Sequence, residues 1–333
     1  MQPSHLIDPA LTTEFLLKRM TGKGVKVAVI DSGVDGKHPD MARPLKRAVA
    51  VRKQLDGTIT VVDEAPADSM DRFGHGTAVA GVIADIAPDC EILSVGVLDE
   101  RNSCTGDVLI HALRWTLDQD VDVVNMSLAL NREQYFPDAL KLCEIAYERE
   151  ITLVGAKHNM PGAIGAPAMF SSVISVDKHP FDEKWQFQFR QRKMVEFAGR
   201  GYNVRVPALG GGYCMQTGTS FATPQISGVV ALLKQWRPDL VPVELKAALK
   251  ALGVRDGQES SQPSPVSELD PGRAYLNALD TAALRSLVEG LSPAAFKRLQ
   301  QAMETADPSA HRSHKRELQA QLRELRKQLK QYD

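Results

Sequence analysis

The chain has 333 residues, 43% of them hydrophobic and 24% charged, with a net charge of -1. That composition is enough to bury one large core and leave material for an appendage. The near-balanced charge argues against nucleic acid as a main partner, although residues 311 to 333 hold seven Lys or Arg against three acids, giving that tail +4 and the remainder -5. Cys90, Cys104, Cys143 and Cys214 are widely spaced and form no CxxC pair, so free thiols are expected rather than a zinc site or a disulfide framework. The N-terminus lacks a basic start followed by an uninterrupted apolar run, and no segment reaches membrane-spanning length. Taking Met1 as the native start, a reducing, cytoplasmic setting without a membrane partner is the simplest expectation.

In chain order, Val25–Ile30, Ile92–Leu98, Val121–Leu128, Ile151–Ala156 and Val173–Val176 are β-branched runs of the kind found in sheets covered on both faces. Helices are predicted between them at Ala78–Ile86, Leu109–Leu117 and Ala139–Tyr147, while Phe221–Leu233 is apolar nearly all round and reads as a buried helix. The alternation predicts an α/β fold: a doubly wound, mostly parallel sheet with helices on both faces and chemistry at the strand ends. Gly253–Gly272, rich in Ser, Pro, Gly and acids, reads as a loop. Arg273–Gly290 then finishes the domain, Pro293–Thr305 forms a further helix, and Leu318, Leu322, Leu325 and Leu329 make a short a/d seam. The expected organisation is an N-terminal extension over 1–22, a main domain over 23–290 and a C-terminal helical extension over 291–333.

Three segments carry chemistry. Val27-Ala28-Val29-Ile30-Asp31-Ser32-Gly33-Val34 puts a carboxylate at the end of a buried strand, where a charge needs a partner. Gly74-His75-Gly76-Thr77-Ala78-Val79-Ala80-Gly81 puts an imidazole where a helix begins, and Gly218-Thr219-Ser220-Phe221-Ala222-Thr223-Pro224 puts a hydroxyl at the opening of the buried helix. Each has an ordinary alternative: a turn or capping aspartate, a structural histidine, an N-capping serine. Three unrelated caps are not expected with these flanks in this order. A carboxylate, an imidazole and a hydroxyl are what a serine needs to attack a carbonyl at neutral pH.

Read together, these segments resemble the subtilisin-like serine peptidases, with the similarity running from about Lys23 to about Leu284. The resemblance implies that Ser220 is the nucleophile, His75 its base and Asp31 the group that orients and stabilises the imidazolium. It also implies an amide that holds the oxyanion: Ile151-Thr152-Leu153-Val154-Gly155-Ala156-Lys157-His158-Asn159 matches the family stretch without a gap and brings Asn159 to that place. A turn asparagine beside Met160-Pro161-Gly162 is the competing reading of Asn159. Lys157 and His158 replace the family's small residues, so a one-residue shift would make His158 the donor instead.

Asn125-Met126-Ser127-Leu128 is similar to the family strand that pairs with extended substrate, which implicates Ser127, Leu128 and Ala129 in substrate binding. The two glycines that usually follow are here Ala129 and Leu130, which predicts a narrower cleft, and Lys157 or His158 near the specificity pocket would favour acidic or polar side chains. Gly81 to Pro88 runs on without the calcium-binding insertion of many secreted relatives, so that site is expected to be absent and no metal or cofactor is required. Asp63, Glu64, Asp68 and Asp71 read as a solvated acidic loop, against the alternative of another calcium site. Gly210-Gly211-Gly212 lacks phosphate-cradle spacing and reads as the turn that delivers Ser220, and Cys214 as a buried, inert thiol. Leu6-Ile7-Asp8-Pro9 is loosely similar to the inhibitory extension of intracellular relatives, against a disordered or surface-packed terminus.

The expected function is that of an intracellular serine endopeptidase working through an acyl-enzyme on extended peptides, in limited processing of a specific protein or peptide precursor. A homo-oligomer or partner protein would be held through the C-terminal helix. The alternatives are a catalytically silent relative that only binds peptides, and a scaffold organised by the leucine seam.

Overall fold

A computed structural model describes residues 11–160 and 163–254. The expected strands and helices are present, with β2 and β3 added between β1 and α2: β1 (Lys26–Asp31), β2 (Leu45–Lys53), β3 (Ile59–Glu64), α2 (His75–Ile86), β4 (Glu91–Gly96), α3 (Gly106–Leu117), β5 (Val123–Met126), α4 (Phe136–Glu148), β6 (Thr152–Ala156) and β7 (Ile174–His179). A short helix α1 (Thr13–Arg19) precedes β1, and β8 (Phe187–Phe189), β9 (Phe197–Arg200), β10 (Val204–Ala208) and β11 (Gly212–Gln216) lead to α5 (Thr219–Trp236) and α6 (Pro242–Leu252). The expected N-terminal inhibitory segment, the loop after Gly253, the boundary at 290, the leucine seam and the C-terminal helices lie outside the described residues.

Nine strands form one sheet in the order β3-β2-β4-β1-β5-β6-β7-β9-β8. The strands from β2 through β9 pair in parallel, and only the edge strands β3 and β8 run antiparallel to their neighbours. This is the doubly wound, mostly parallel α/β sheet that the sequence predicts. Alternation along β1 explains the two cores: Val27 and Val29 join α2 and α5 on one face, whereas Ala28 and Ile30 join α3 and α4 on the other. Helix α5 is buried along almost its whole length and crosses α2 closely, since a Cβ at Gly228 would sit 2.7 Å from Ile86 Cβ.

The chain builds one side of the sheet from β1 and then returns to lay β5 on the other side of that strand. The carboxyl ends of β1 and β5 therefore flank the point where the winding reverses, the usual place for a cleft in such sheets. Asp31 closes β1, and Ser127 follows β5. Two expectations need correction. Asp63 and Glu64 lie on β3 rather than in a loop, paired with β2. Asp71 is buried, not solvated, because the main chain before α2 wraps around its carboxylate.

Candidate active site

Asp31 is fully buried, and its Oδ1 accepts from Ser32 N at 2.8 Å and faces His75 Nδ1 at 2.7 Å. His75 is the first residue of α2, capped by Gly74. The start of this helix can approach the end of β1 only because residue 76 is glycine: a Cβ there would lie 2.0 Å from Gly33 O and 3.2 Å from Asp31 Cβ. Burial pushes the imidazole down in pKa, but the charge and hydrogen bond of Asp31, helped by Asp71, outweigh it, so His75 titrates above its ordinary value. The ring packs 5.5 Å from that of Phe221, setting the start of α5 against the start of α2.

Ser220 lies in the first turn of α5, and Gly218 rather than Ser220 is the N-cap. Its Oγ donates to Ser127 O at 3.1 Å, and its own carbonyl accepts from Ser127 Oγ at 2.9 Å. Pro224 explains why that carbonyl is free: proline has no N–H to bond the residue four before it. The Ser127 hydroxyl is held by Asn125, a fully buried residue of β5 whose Nδ2 donates to Ser127 Oγ at 3.0 Å and whose Oδ1 accepts from Ser227 Oγ at 2.8 Å. A polar chain thus runs from the middle of α5 through β5 to Ser220.

Asn159 reaches the same place from β6. Its Oδ1 accepts from Thr219 N at 3.1 Å and Thr219 Oγ1 at 3.2 Å, while Thr219 Oγ1 also donates to Lys157 O at 2.7 Å. This fixes the amide oxygen against Thr219, the residue before Ser220. His158 turns elsewhere: its Nδ1 accepts from Met160 N at 3.0 Å, and its Nε2 lies 3.2 Å from Asn131 Nδ2. Lys157 is 3.0 Å from Asp177 Oδ2 and shares it with Arg190 at 2.7 Å, so its charge is already paired. Leu128 and Ala129 are half-buried, and Leu130 pairs with Ala166 in an antiparallel bridge. Ala129 Cβ would lie 2.8 Å from a Cβ on Gly165.

Sequence reasoning missed Asp71 as part of this region, and took Asn125 as a member of the substrate-pairing strand without its tie to Ser127 and Ser227. Asp71 stands two and three residues before the N–H groups of Phe73 and Gly74, the spacing of an aspartate turn, which is the signal that was available. The Gly210–Gly212 run lies at the turn between β10 and β11, and β11 feeds α5.

The subtilase family model matches residues 22–260. The chain belongs to the subtilase family. An intracellular serine protease of Paenibacillus polymyxa is 31% identical over 249 residues, which cover 68% of this chain and 73% of that protein. Subtilisin E of Bacillus subtilis (strain 168) is 29% identical over 270 residues, covering 74% of this chain and 64% of that protein, so the match leaves out about a third of the relative. Among solved structures, a cold adapted subtilisin-like serine proteinase superposes with a TM-score of 0.55 at 26% identity, over 70% of this chain and 83% of that one. A psychrophilic protease matches with a TM-score of 0.59 at 24% identity over 70% and 84%, a likeness of fold. This subtilase is a serine endopeptidase by family.

All four of its cysteines are free; Cys90 and Cys143 are buried, and Cys104 and Cys214 half-buried. Burial pushes the Cys90, Cys104 and Cys143 thiols up to about 12. Cys214 is thus less enclosed than the sequence suggests, and it packs against Val82, Val204, Val206 and Phe221. Among the described residues, no group of three or more His, Cys, Asp or Glu is placed to hold a metal, and no helix is long and apolar enough to cross a membrane.

Proposed function

We propose that this subtilase cleaves extended peptide segments through an acyl-enzyme on Ser220, in limited processing of a specific protein or peptide. The observation that carries the reading is the buried 2.7 Å contact between Asp31 and His75 Nδ1 at the reversal point of the sheet, with the first turn of α5, which carries Ser220, reaching His75 through the Phe221 ring at 5.5 Å.

At rest, the Ser220 hydroxyl leans on Ser127 O. A substrate strand that donates its own N–H to that carbonyl takes over the acceptor and leaves the hydroxyl to turn to His75 Nε2. The oxygen then attacks the scissile carbonyl and its proton passes to Nε2, making an imidazolium that Asp31 holds through Nδ1–H. The carbonyl π electrons move onto oxygen, where Asn159 Nδ2 and the Ser220 N–H, which has no acceptor within its own helix, receive the charge. Collapse breaks the C–N bond, the proton on Nε2 goes to the leaving amine, and water repeats the sequence to release the acid and restore Ser220.

Selectivity is supported by side chains where relatives have glycine. Ala129 lies against Gly165 and Leu130 is tied to Ala166, which supports a narrower substrate-binding edge along Ser127, Leu128 and Ala129. A cytoplasmic location is supported by the four free thiols and by the similarity to the intracellular protease of Paenibacillus polymyxa. The 291–333 segment is proposed to dock a partner or a second copy, on the strength of the Leu318, Leu322, Leu325, Leu329 spacing. The test is labelling with a fluorophosphonate, comparing wild type with Ser220→Ala, followed by mapping of new protein termini in host lysate. Labelling of wild type alone, with few and recurrent cleavage sites, is the expected result. Folded wild-type protein that stays unlabelled overturns the enzymatic reading, and indiscriminate cleavage overturns the selectivity.

A further inference from the structure

The Asp71 carboxylate is 7% exposed and lies at the centre of five donors. Its Oδ1 accepts from Ser32 Oγ at 2.7 Å, Phe73 N at 3.0 Å and Gly74 N at 2.7 Å; its Oδ2 accepts from Thr77 N at 2.7 Å and Thr77 Oγ1 at 2.6 Å. These donors come from both sides of the proposed base. Phe73, Gly74 and Thr77 bracket His75 along the chain, and Ser32 follows Asp31 directly. Ser32 completes the link by accepting from Gly76 N at 2.9 Å, while its own N–H holds Asp31 Oδ1.

We propose that Asp71 is a positioning residue for the peptidase reaction, clamping the end of β1 to the start of α2 so that Asp31 and His75 meet in register. The proposal rests on the assignment of Asp31, His75 and Ser220 made above. An ionised carboxylate suits the position because both of its oxygens only accept, whereas every group around it donates. An amide offers acceptance at one end only; at the other its NH2 meets either Thr77 N–H or the Gly74 and Phe73 N–H groups. Asp71 is therefore chemically specified, not merely a small polar filler. It also adds negative charge behind an imidazole that must become cationic in the transition state. The charged groups acting on His75 are Asp31, from β1, and Asp71; Phe221, from α5, brings an uncharged ring, and Arg72 is paired at the surface with Glu100.

The experiment compares wild type, Asp71→Asn and Ser32→Ala for kcat and KM on one peptide substrate, and follows the His75 imidazole by NMR titration in a Ser220→Ala background. Asp71→Asn is expected to lower kcat by about 10- to 100-fold with KM within about threefold, the pattern of a displaced reacting group. It is also expected to move the His75 titration to lower pH, because one of the charges that raise it is lost. Ser32→Ala breaks the clamp but keeps the Asp71 charge, so it should lower kcat while leaving the titration closer to wild type. A folded Asp71→Asn variant with kcat within twofold of wild type and an unmoved titration overturns the proposal. If that variant does not fold, undiminished kcat in Ser32→Ala overturns it. Failure of wild type to react with a fluorophosphonate would instead strike at the parent assignment.

Discussion

Replacing Asp31 by asparagine keeps the size of the side chain and removes the charge that faces His75. With an effective dielectric of about 20, a unit charge about 4 Å from the imidazolium contributes about 4 kcal/mol, or about three decades in rate. The amide must then choose an orientation. Oδ1 faces both the Ser32 N–H and the His75 Nδ1–H, which favours keeping oxygen there and sends the NH2 to the place of Oδ2, a buried atom with no hydrogen-bond partner. That exchanges an oxygen already without a partner for a donor without one, so the penalty at this atom largely cancels between wild type and variant. The reverse orientation presents a donor to Nδ1 and selects the wrong tautomer, a loss of about 10⁴-fold in serine peptidases. The expected outcome is a fall in kcat of about 10³- to 10⁴-fold. The pH profile supplies a second reading. In wild type the base must be neutral, and His75 is raised from 6.5, so the acid limb of kcat/KM should lie above that value. In Asp31→Asn, burial acts with less opposition, and the limb of the residual activity should move toward lower pH. Steady-state kinetics on a chromogenic peptide, with the rate of fluorophosphonate labelling as a control, measure both. A variant that labels within about tenfold of wild type would refute the reasoning.

Asn159→Ala should lower kcat by about 10²- to 10³-fold with little change in KM, because its donor acts on charge that exists only beyond the ground state; equal losses of binding and turnover would contradict this. Asn125→Ala leaves the buried hydroxyls of Ser127 and Ser227 short of a partner each, and should cost about 1–3 kcal/mol in urea unfolding of a Ser220→Ala background, together with reduced activity in the otherwise native enzyme. Arg190→Leu should destabilise by about 1–3 kcal/mol, since Asp177 would keep Lys157 as its one charged partner beside the Lys178 N–H. Burial tends to raise the Asp177 carboxyl, but Arg190 and Lys157 hold it below its ordinary value. Its contribution is thus full above the unfolded carboxylate range and fades as acid protonates it, so the wild-type advantage over Arg190→Leu should shrink on acidification.

The centre of the sheet was legible because β1, β4, β5, β6 and the start of β7 are mostly apolar runs covered on both faces. Strand β2 was hidden by Lys46, Arg47, Arg52 and Lys53 around its buried centre, and β3 by the mixed exposure of an edge. Strand β8 has three residues and α1 seven, too few to show a period. In the site, the chain order of Asp31, His75 and Ser220 carried most of the information. Asp71 did not show because a buried acid and a solvated one are the same letter, and three of its five donors are main-chain groups that any residue would supply. Lys157 and Asp177 illustrate the same limit: a lysine read as free to attract acidic substrate is matched by a carboxylate twenty positions later.

The crossing at Gly228 couples α2 and α5 mechanically. Helices α2 and α5 each carry one proposed reacting group at the first turn, and they cross closely further along, where the backbone of one lies against Ile86 of the other. The two helices behave like the blades of scissors, with the pinch at the pivot and the imidazole and alcohol at the tips. A single methyl inserted at that pivot would work as a shim, opening the tips and slowing turnover while every reacting atom stayed chemically intact.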